Sequence, residues 1–216
     1  MVEPSPLNRA DRRRLRTRAA VVAAARELFG SQGVGATTIQ HITEAADVAK
    51  GSFYNHFDSK DAVLRAIVEE TLAELGGALD VLAESMRDDP ARVIGVCLRH
   101  TLRVCVQDPT LGWFTLRARD VIAVGGVALG AYGRRDIRRG IESGRFHFDD
   151  LELACTMIGG GAEALLRRRL EGELPAEADV AFTLHVLRML GVPDREASAI
   201  AGEELAQLGR SGTNRP

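Results

Sequence analysis

The stretch TTIQHITEAADVAKGSFYNHFDSK, residues 37–60, constrains this chain more than any other. It reads as two short helices joined by a tight turn. Thr37 and Gln40 stand at the S/T-x-x-E/Q spacing of a capping box, which predicts a helix beginning at Thr38. Ile39, Ile42, Ala45 and Ala46 recur at helical spacing and give that helix one apolar face. Asp47-Val48 breaks the pattern, and a second helix is predicted over 50–56. Wound as an α-helix, it places Ala49, Phe53 and Phe57 on one side, the side expected to be buried. Gly51 and Asn55 then point away, with Lys50 and Tyr54 on one shoulder and Ser52 and His56 on the other. The outward set holds a cation, several hydrogen-bond donors, an aromatic ring and no carboxylate. So short a helix with that surface suits burial poorly and the major groove of DNA well.

The same residues carry a resemblance. LFGSQGVGATTIQHITEAADVAKGSFYNHFDSKDAVLRAI resembles the DNA-binding domain of the TetR (tetracycline-repressor-like) transcription regulators, over roughly residues 17–70. The shared pattern is a helix ending in LF-x-x-x-G, a helix opened by TT, a short recognition helix ending in Y-x-H-F, and a K-[DE]-x-L start to the fourth helix. Two positions depart from it: Thr43 stands where the family usually has Ala, and Ala49 where Ser or Thr often caps the recognition helix. A missing cap oxygen costs about 1 kcal/mol of helix stability. The resemblance implies an all-α fold, with an N-terminal three-helix helix-turn-helix domain joined by a long helix to a C-terminal bundle for effector binding and dimerisation. Tyr54 and Lys60 match the family's phosphate-contacting tyrosine and lysine, and Lys60 also lies at a helix N-terminus, which favours an anion. Thr38 is expected to grip phosphate with them. Gln40, Lys50, Gly51, Ser52 and Asn55 are expected to approach base edges or the groove wall, and His56 joins the DNA-binding set through its place in Y-x-H-F.

The net charge of −2 alone argues against a nucleic-acid partner, but its distribution argues for one. Residues 1–60 hold nine Lys and Arg against six Asp and Glu, a net +3 that leaves −5 for the rest. Six arginines stand in the first 20 residues. A locally basic arm on an acidic body is the footprint of a DNA binder. No apolar run is long enough to span a membrane, and the first residues lack the apolar core of a signal peptide. Three widely spaced cysteines, 97, 105 and 155, suit a reducing cytoplasm.

In chain order, the first helix is expected from Asn8 or Asp11 to Gly33, with Val21, Val22, Ala25, Leu28 and Phe29 as its buried stripe. Its first turns carry Arg12, Arg13, Arg14, Arg16 and Arg18, which oppose the helix dipole; phosphate contact is a use for them. Ser59 caps a fourth helix reaching Arg87, a span of about 40 Å. Further helices are expected over 91–107, 111–119, 120–143, 150–171, 176–190 and 194–208, with no strand alternation and no repeats. The domains are expected at 1–60 (arm and helix-turn-helix), 61–210 (effector and dimerisation) and 211–216 (a disordered tail).

Other motifs carry less. His41 is read as a surface histidine. Cys97, His100 and Cys105 share a helix arc, but a structural zinc needs four ligands in tight pairs, so no metal is expected. Gly159-Gly160-Gly161 lacks the strand and the GK[ST] ending of a phosphate loop and reads as a close helix approach. Neither G-x-S-x-G nor H-E-x-x-H occurs, so no catalytic residue and no cofactor are expected. Cys97, His100, Thr101, Trp113, Phe114, Arg117 and Tyr132 mix apolar walls with polar anchors, as an effector pocket requires. The family's dimer interface, a four-helix arrangement, implies that Met157, Gly161, Leu165, Val180, Leu184, Leu187 and Leu190 are buried between subunits. The expectation is a homodimeric, ligand-responsive cytoplasmic repressor, with no membrane partner, that leaves a palindromic double-stranded operator when a small-molecule effector binds. The alternative is a helical interaction scaffold, or a metal-binding or enzymatic helical protein, without DNA binding.

Overall fold

A computed structural model describes residues 8–122 and 128–206. The described residues form ten helices and no strand: α1 Arg9–Gln32, α2 Ile39–Ala45, α3 Lys50–Tyr54, α4 Lys60–Glu84, α5 Pro90–Gln107, α6 Pro109–Ile122, α7 Ala128–Glu142, α8 Leu151–Leu170, α9 Ala178–Met189 and α10 Asp194–Gly202. They belong to two compact units, Met1–Glu70 and Thr71–Pro216. The parting falls inside α4, so its first turns pack with the first unit. The tail expected at 211–216 lies outside the described residues.

In the first unit, Val21, Val22, Ala25 and Phe29 of α1 meet Ile42, Phe53, Phe57, Val63 and Ile67 in one apolar core. Each helix begins or ends for a local reason. Asn8 caps α1, its Oδ1 accepting from the Asp11 N–H at 2.8 Å. Gly33 ends it at φ +85°, where a side chain would be strained. The cap of α2 is one residue later than the sequence spacing suggests. Thr38 Oγ1 accepts from the His41 N–H at 3.1 Å, and His41 Nδ1 accepts from the Thr38 N–H at 3.4 Å, so His41 and not Gln40 completes the box. Thr37 is buried instead, its hydroxyl donating to the Gly33 carbonyl at 2.8 Å. Thr43 is buried where Ala45 was expected, its Oγ1 turned back on the Gln40 carbonyl at 3.0 Å. Ala49 caps α3 without a side-chain bond and is exposed, not buried beside Phe53.

In the second unit the core gathers Ile94 of α5, Ile137 of α7, Ala154 of α8, Val186, Leu187 and Leu190 near α9, and Ile200 of α10. Gly95 lets α10 come close to α5: a Cβ there would stand 2.6 Å from Ile200 Cγ2. Buried charge is paired. The Arg103 Nε–H donates to Asp179 Oδ2 at 2.7 Å, Arg99 reaches the same oxygen at 3.6 Å, and Arg99 Nη1 donates to the Glu203 carbonyl at 2.5 Å. Helix α6 continues to Ile122, past the end expected at residue 119, and α7 covers most of the run expected over 120–143, of which residues 123–127 lie outside the described residues. Among the described residues no helix is long and apolar enough to cross a membrane, and no three His, Cys, Asp or Glu cluster as a metal site.

Candidate functional site

The first unit holds together a short helix with a polar outer surface. On α3, Phe53 is fully buried and anchors the helix, while Lys50, Gly51, Tyr54 and Asn55 are exposed. Tyr54 stays half in water and packs edge-on against Phe53 at 5.5 Å between ring centres. A Cβ on Gly51 would meet nothing within 4 Å, so the glycine is not needed for packing and leaves the backbone open to an approaching surface. Ser52 and His56 are half-buried on the flank. Burial, and then the guanidinium groups of Arg14 and Arg18, hold the His56 imidazole below its ordinary pKa of 6.5. Arg18 also lies over the Phe57 ring at 5.3 Å and pairs with Glu70 at 3.0 Å. On α2, Gln40 donates to Glu44 at 2.9 Å, and Thr38 is exposed at the helix start.

Lys60 is engaged inside the unit. Its ammonium donates to the Val34 carbonyl at 2.5 Å and the Thr37 carbonyl at 2.9 Å. Two of its three protons therefore tie the first turn of α4 to the segment between α1 and α2. Sequence spacing marks Lys60 as cationic; it carries no signal for this internal use.

The second unit contains a cavity of about 310 Å³. Leu79, Ala83, Ile94, Leu98, Ile137 and Ile158 make its apolar wall, and Asp80, Thr101, Tyr132, Arg135 and Asp136 supply polar groups. Arg135 bridges the two carboxylates, to Asp80 at 2.7 Å and Asp136 at 2.9 Å, and stands over the Tyr132 ring at 5.2 Å. Burial raises the Asp136 pKa, against the opposing pull of Arg135. Cys97 and Cys155 also line the cavity, and burial pushes the Cys97 thiol up to about 12.

Of the residues expected to form an effector pocket, Cys97, Thr101 and Tyr132 line this cavity. His100 is buried with an unpartnered Nε2, and neither it nor Trp113 belongs to the wall. The side chains of Phe114 and Arg117 lie outside the described residues. Asp80, Arg135 and Asp136 were missed because their signal, a charged residue on an otherwise core-facing helix side, emerges only when α4 and α7 are placed together.

The residues expected between subunits divide sharply. Leu187 and Leu190 are wholly buried within the single chain and Leu165 nearly so, which leaves them nothing to offer a partner. Gly161 faces its own chain, since a Cβ there would stand 2.7 Å from the Phe182 ring. Met157 is 48% exposed, as is Leu153 one turn before it, and Val180 and Leu184 are half-buried.

Comparison with known proteins agrees with this arrangement. Residues 21–67 match the family described as bacterial regulatory proteins, tetR family, and residues 89–203 match the tetracyclin repressor-like C-terminal domain. The transcriptional repressor DhaR of Mycobacterium sp. (strain GP1) is 36% identical over 66 residues, 31% of this chain and 33% of that protein. The repressor KstR2 of Rhodococcus jostii (strain RHA1) is 38% identical over 64 residues, 30% of this chain and 31% of that protein. The match thus spans about a third of the length of these curated relatives. The crystal structure of RolR in complex with the ligand resorcinol is 34% identical with a TM-score of 0.76, covering 92% of this chain and 99% of that one. A Thermus thermophilus FadR in complex with lauroyl-CoA, 20% identical at a TM-score of 0.59, shares the fold. From the short polar helix of the first unit to the helical bundle of the second, this chain belongs to the TetR family of transcription regulators.

Proposed function

We propose that this protein is a homodimeric repressor that leaves a palindromic operator when a small hydroxylated aromatic molecule enters the cavity of its second unit. The first unit, to which the first turns of α4 belong, carries the DNA contacts, and the second binds the effector and forms the dimer. The observation that carries the ligand class is the cavity wall, in which an apolar lining surrounds two carboxylates joined by one guanidinium. A ring fits the lining, and its hydroxyls donate to Asp80 and Asp136. At about 310 Å³ the cavity lies at the lower end of small-molecule pockets, which favours one ring over a long acyl chain. RolR, 34% identical and crystallised with resorcinol, a ring with two hydroxyls, supports the same class.

Lys50, Gly51, Ser52 and Asn55 of the α3 segment, with Gln40 of α2, meet the major groove, while Thr38 and Tyr54 meet phosphates and His56 flanks them. A recognition helix this short reads few base pairs, and a two-fold partner doubles the site. Met157 and Leu153 of α8, with Val180 and Leu184 of α9, form the face between subunits. The effector acts through α4, which lends Leu79, Asp80 and Ala83 to the cavity and whose first turn holds Lys60. It must favour the DNA-incompetent arrangement by about 5.5 kcal/mol for a near-complete switch.

Selection of bound duplexes from a random library, followed by gel retardation with added resorcinol, tests this reading. A palindromic site released by resorcinol is the expected result, with Asp80→Asn and Asp136→Asn proteins that bind the site and keep it. Failure to retain any duplex would reject DNA binding. Normal release from both variants would place the effector elsewhere.

A further inference from the structure

Helix α1 is longer than its core requires. It runs for 24 residues, yet no residue from Arg9 to Ala20 is buried, and the apolar stripe begins only at Val21. Within this half every residue from Arg9 to Arg16 is exposed, so about 12 Å of helix stands beyond the packing, while Arg18 lies over the Phe57 ring. That half carries Arg9, Arg12, Arg13, Arg14, Arg16 and Arg18 against the single carboxylate of Asp11. The charges repel one another and oppose the positive end of the helix dipole. Only Arg18 forms an ion pair among the described residues, with Glu70. A helix kept in this condition gains from a polyanion laid against it.

The extension starts beside the recognition helix. Arg18 lies over the ring of Phe57, the neighbour of His56 at the end of the α3 segment, at 5.3 Å, so the arm leaves the unit beside the surface proposed to face DNA. Helical winding places Arg14 and Arg18 on one side and gathers Arg9, Arg12, Arg13 and Arg16 within about 100° on the other. Cations on both sides of a rod suit contact with more than one row of phosphates.

We propose that the N-terminal half of α1 is a second DNA-binding element, which grips the phosphate backbone beyond the base pairs read by α3. The proposal rests on the DNA-binding reading above and adds affinity without sequence preference to it. The protein then covers more duplex than its recognised sequence.

The test compares wild type with the triple variant Arg12→Gln, Arg13→Gln, Arg16→Gln, whose altered side chains are exposed, with circular dichroism to check that the fold is kept. Binding to a random-sequence 40-base-pair duplex is measured by fluorescence anisotropy across a salt series. Each lost phosphate contact flattens the slope of log affinity against log salt by about 0.9, so the triple variant should be shallower by about 3 and weaker by about tenfold or more at low salt. Sites selected from a random library should be the same for both proteins. Equal salt slopes would overturn the proposal, as would an altered preferred sequence. Loss of binding to phosphatidylglycerol vesicles with the DNA slope unchanged would overturn it in favour of a membrane. A wild type that binds no duplex would instead reject the DNA-binding reading itself.

Discussion

At the scale of single residues, Lys60 and His56 show how little of a side chain's work is written in its position. The family pattern expects Lys60 to grip phosphate, and its removal then lowers the salt slope by about 1. The structure has its ammonium donating to two carbonyls, and losing such charge-assisted bonds costs about 2 kcal/mol. Lys60→Met, which keeps the apolar stem, should therefore lower the melting temperature of the DNA-binding unit as well as its DNA affinity. An unchanged melting temperature with a flattened salt slope would return Lys60 to the phosphates. His56 has a folded pKa below 6.5, so the unfolded chain binds more protons as pH falls through that value. Acidification from pH 7.5 toward 6 should then destabilise the free protein. Phosphates placed beside Arg14 and Arg18 cancel the field that depresses the imidazole. DNA binding should accordingly take up a proton and strengthen over the same pH range, and His56→Gln should remove that dependence in a titration of affinity against pH.

At the scale of elements, the sequence marks helices well and their neighbours poorly. The boundaries of α1, α5, α8 and α9 follow from caps and apolar spacing, because those signals are local. Thr43 and not Ala45 lies in the core because it stands four residues after Ile39, on the face of Ile39, Ile42 and Ala46, and its hydroxyl is satisfied on its own helix, so the polar residue type and not the spacing hid it. The cavity was legible in Cys97, Thr101 and Tyr132, whereas Asp80 and Asp136 became legible only once two helices distant in sequence were brought together. The same limit governed α8 and α9, where an apolar stripe does not say whether its own chain or another covers it. Leu187 and Leu190 are covered by their own chain. Gly161→Glu would strike Phe182 within the protomer and says nothing about dimers. Met157→Arg, at an exposed position, should yield folded monomers by analytical ultracentrifugation and weaken operator binding by about a hundredfold or more through lost bivalency. A dimeric Met157→Arg protein with normal affinity would move the interface off this face.

At the scale of the whole molecule, ligand and stability are linked. Resorcinol at a hundredfold excess over its Kd should stabilise the folded protein by about 2.7 kcal/mol, read as a rise in melting temperature, and Asp136→Asn should abolish the rise. The same thermodynamic view bears on the Lys60 tie. Helices α2 and α3 are 7 and 5 residues long, too short to persist alone in water. Lys60 joins carbonyls 23 and 26 residues away and so closes the loop that contains both helices. Closing a loop of that size costs chain entropy once, and every hydrogen bond inside it then forms within an already closed ring. In hydrogen exchange, the amides of α2 and α3 should open together with the whole unit, at one shared free energy. In the Lys60→Met protein they should exchange earlier than those of α1, because the ring that made them one cooperative body has been cut.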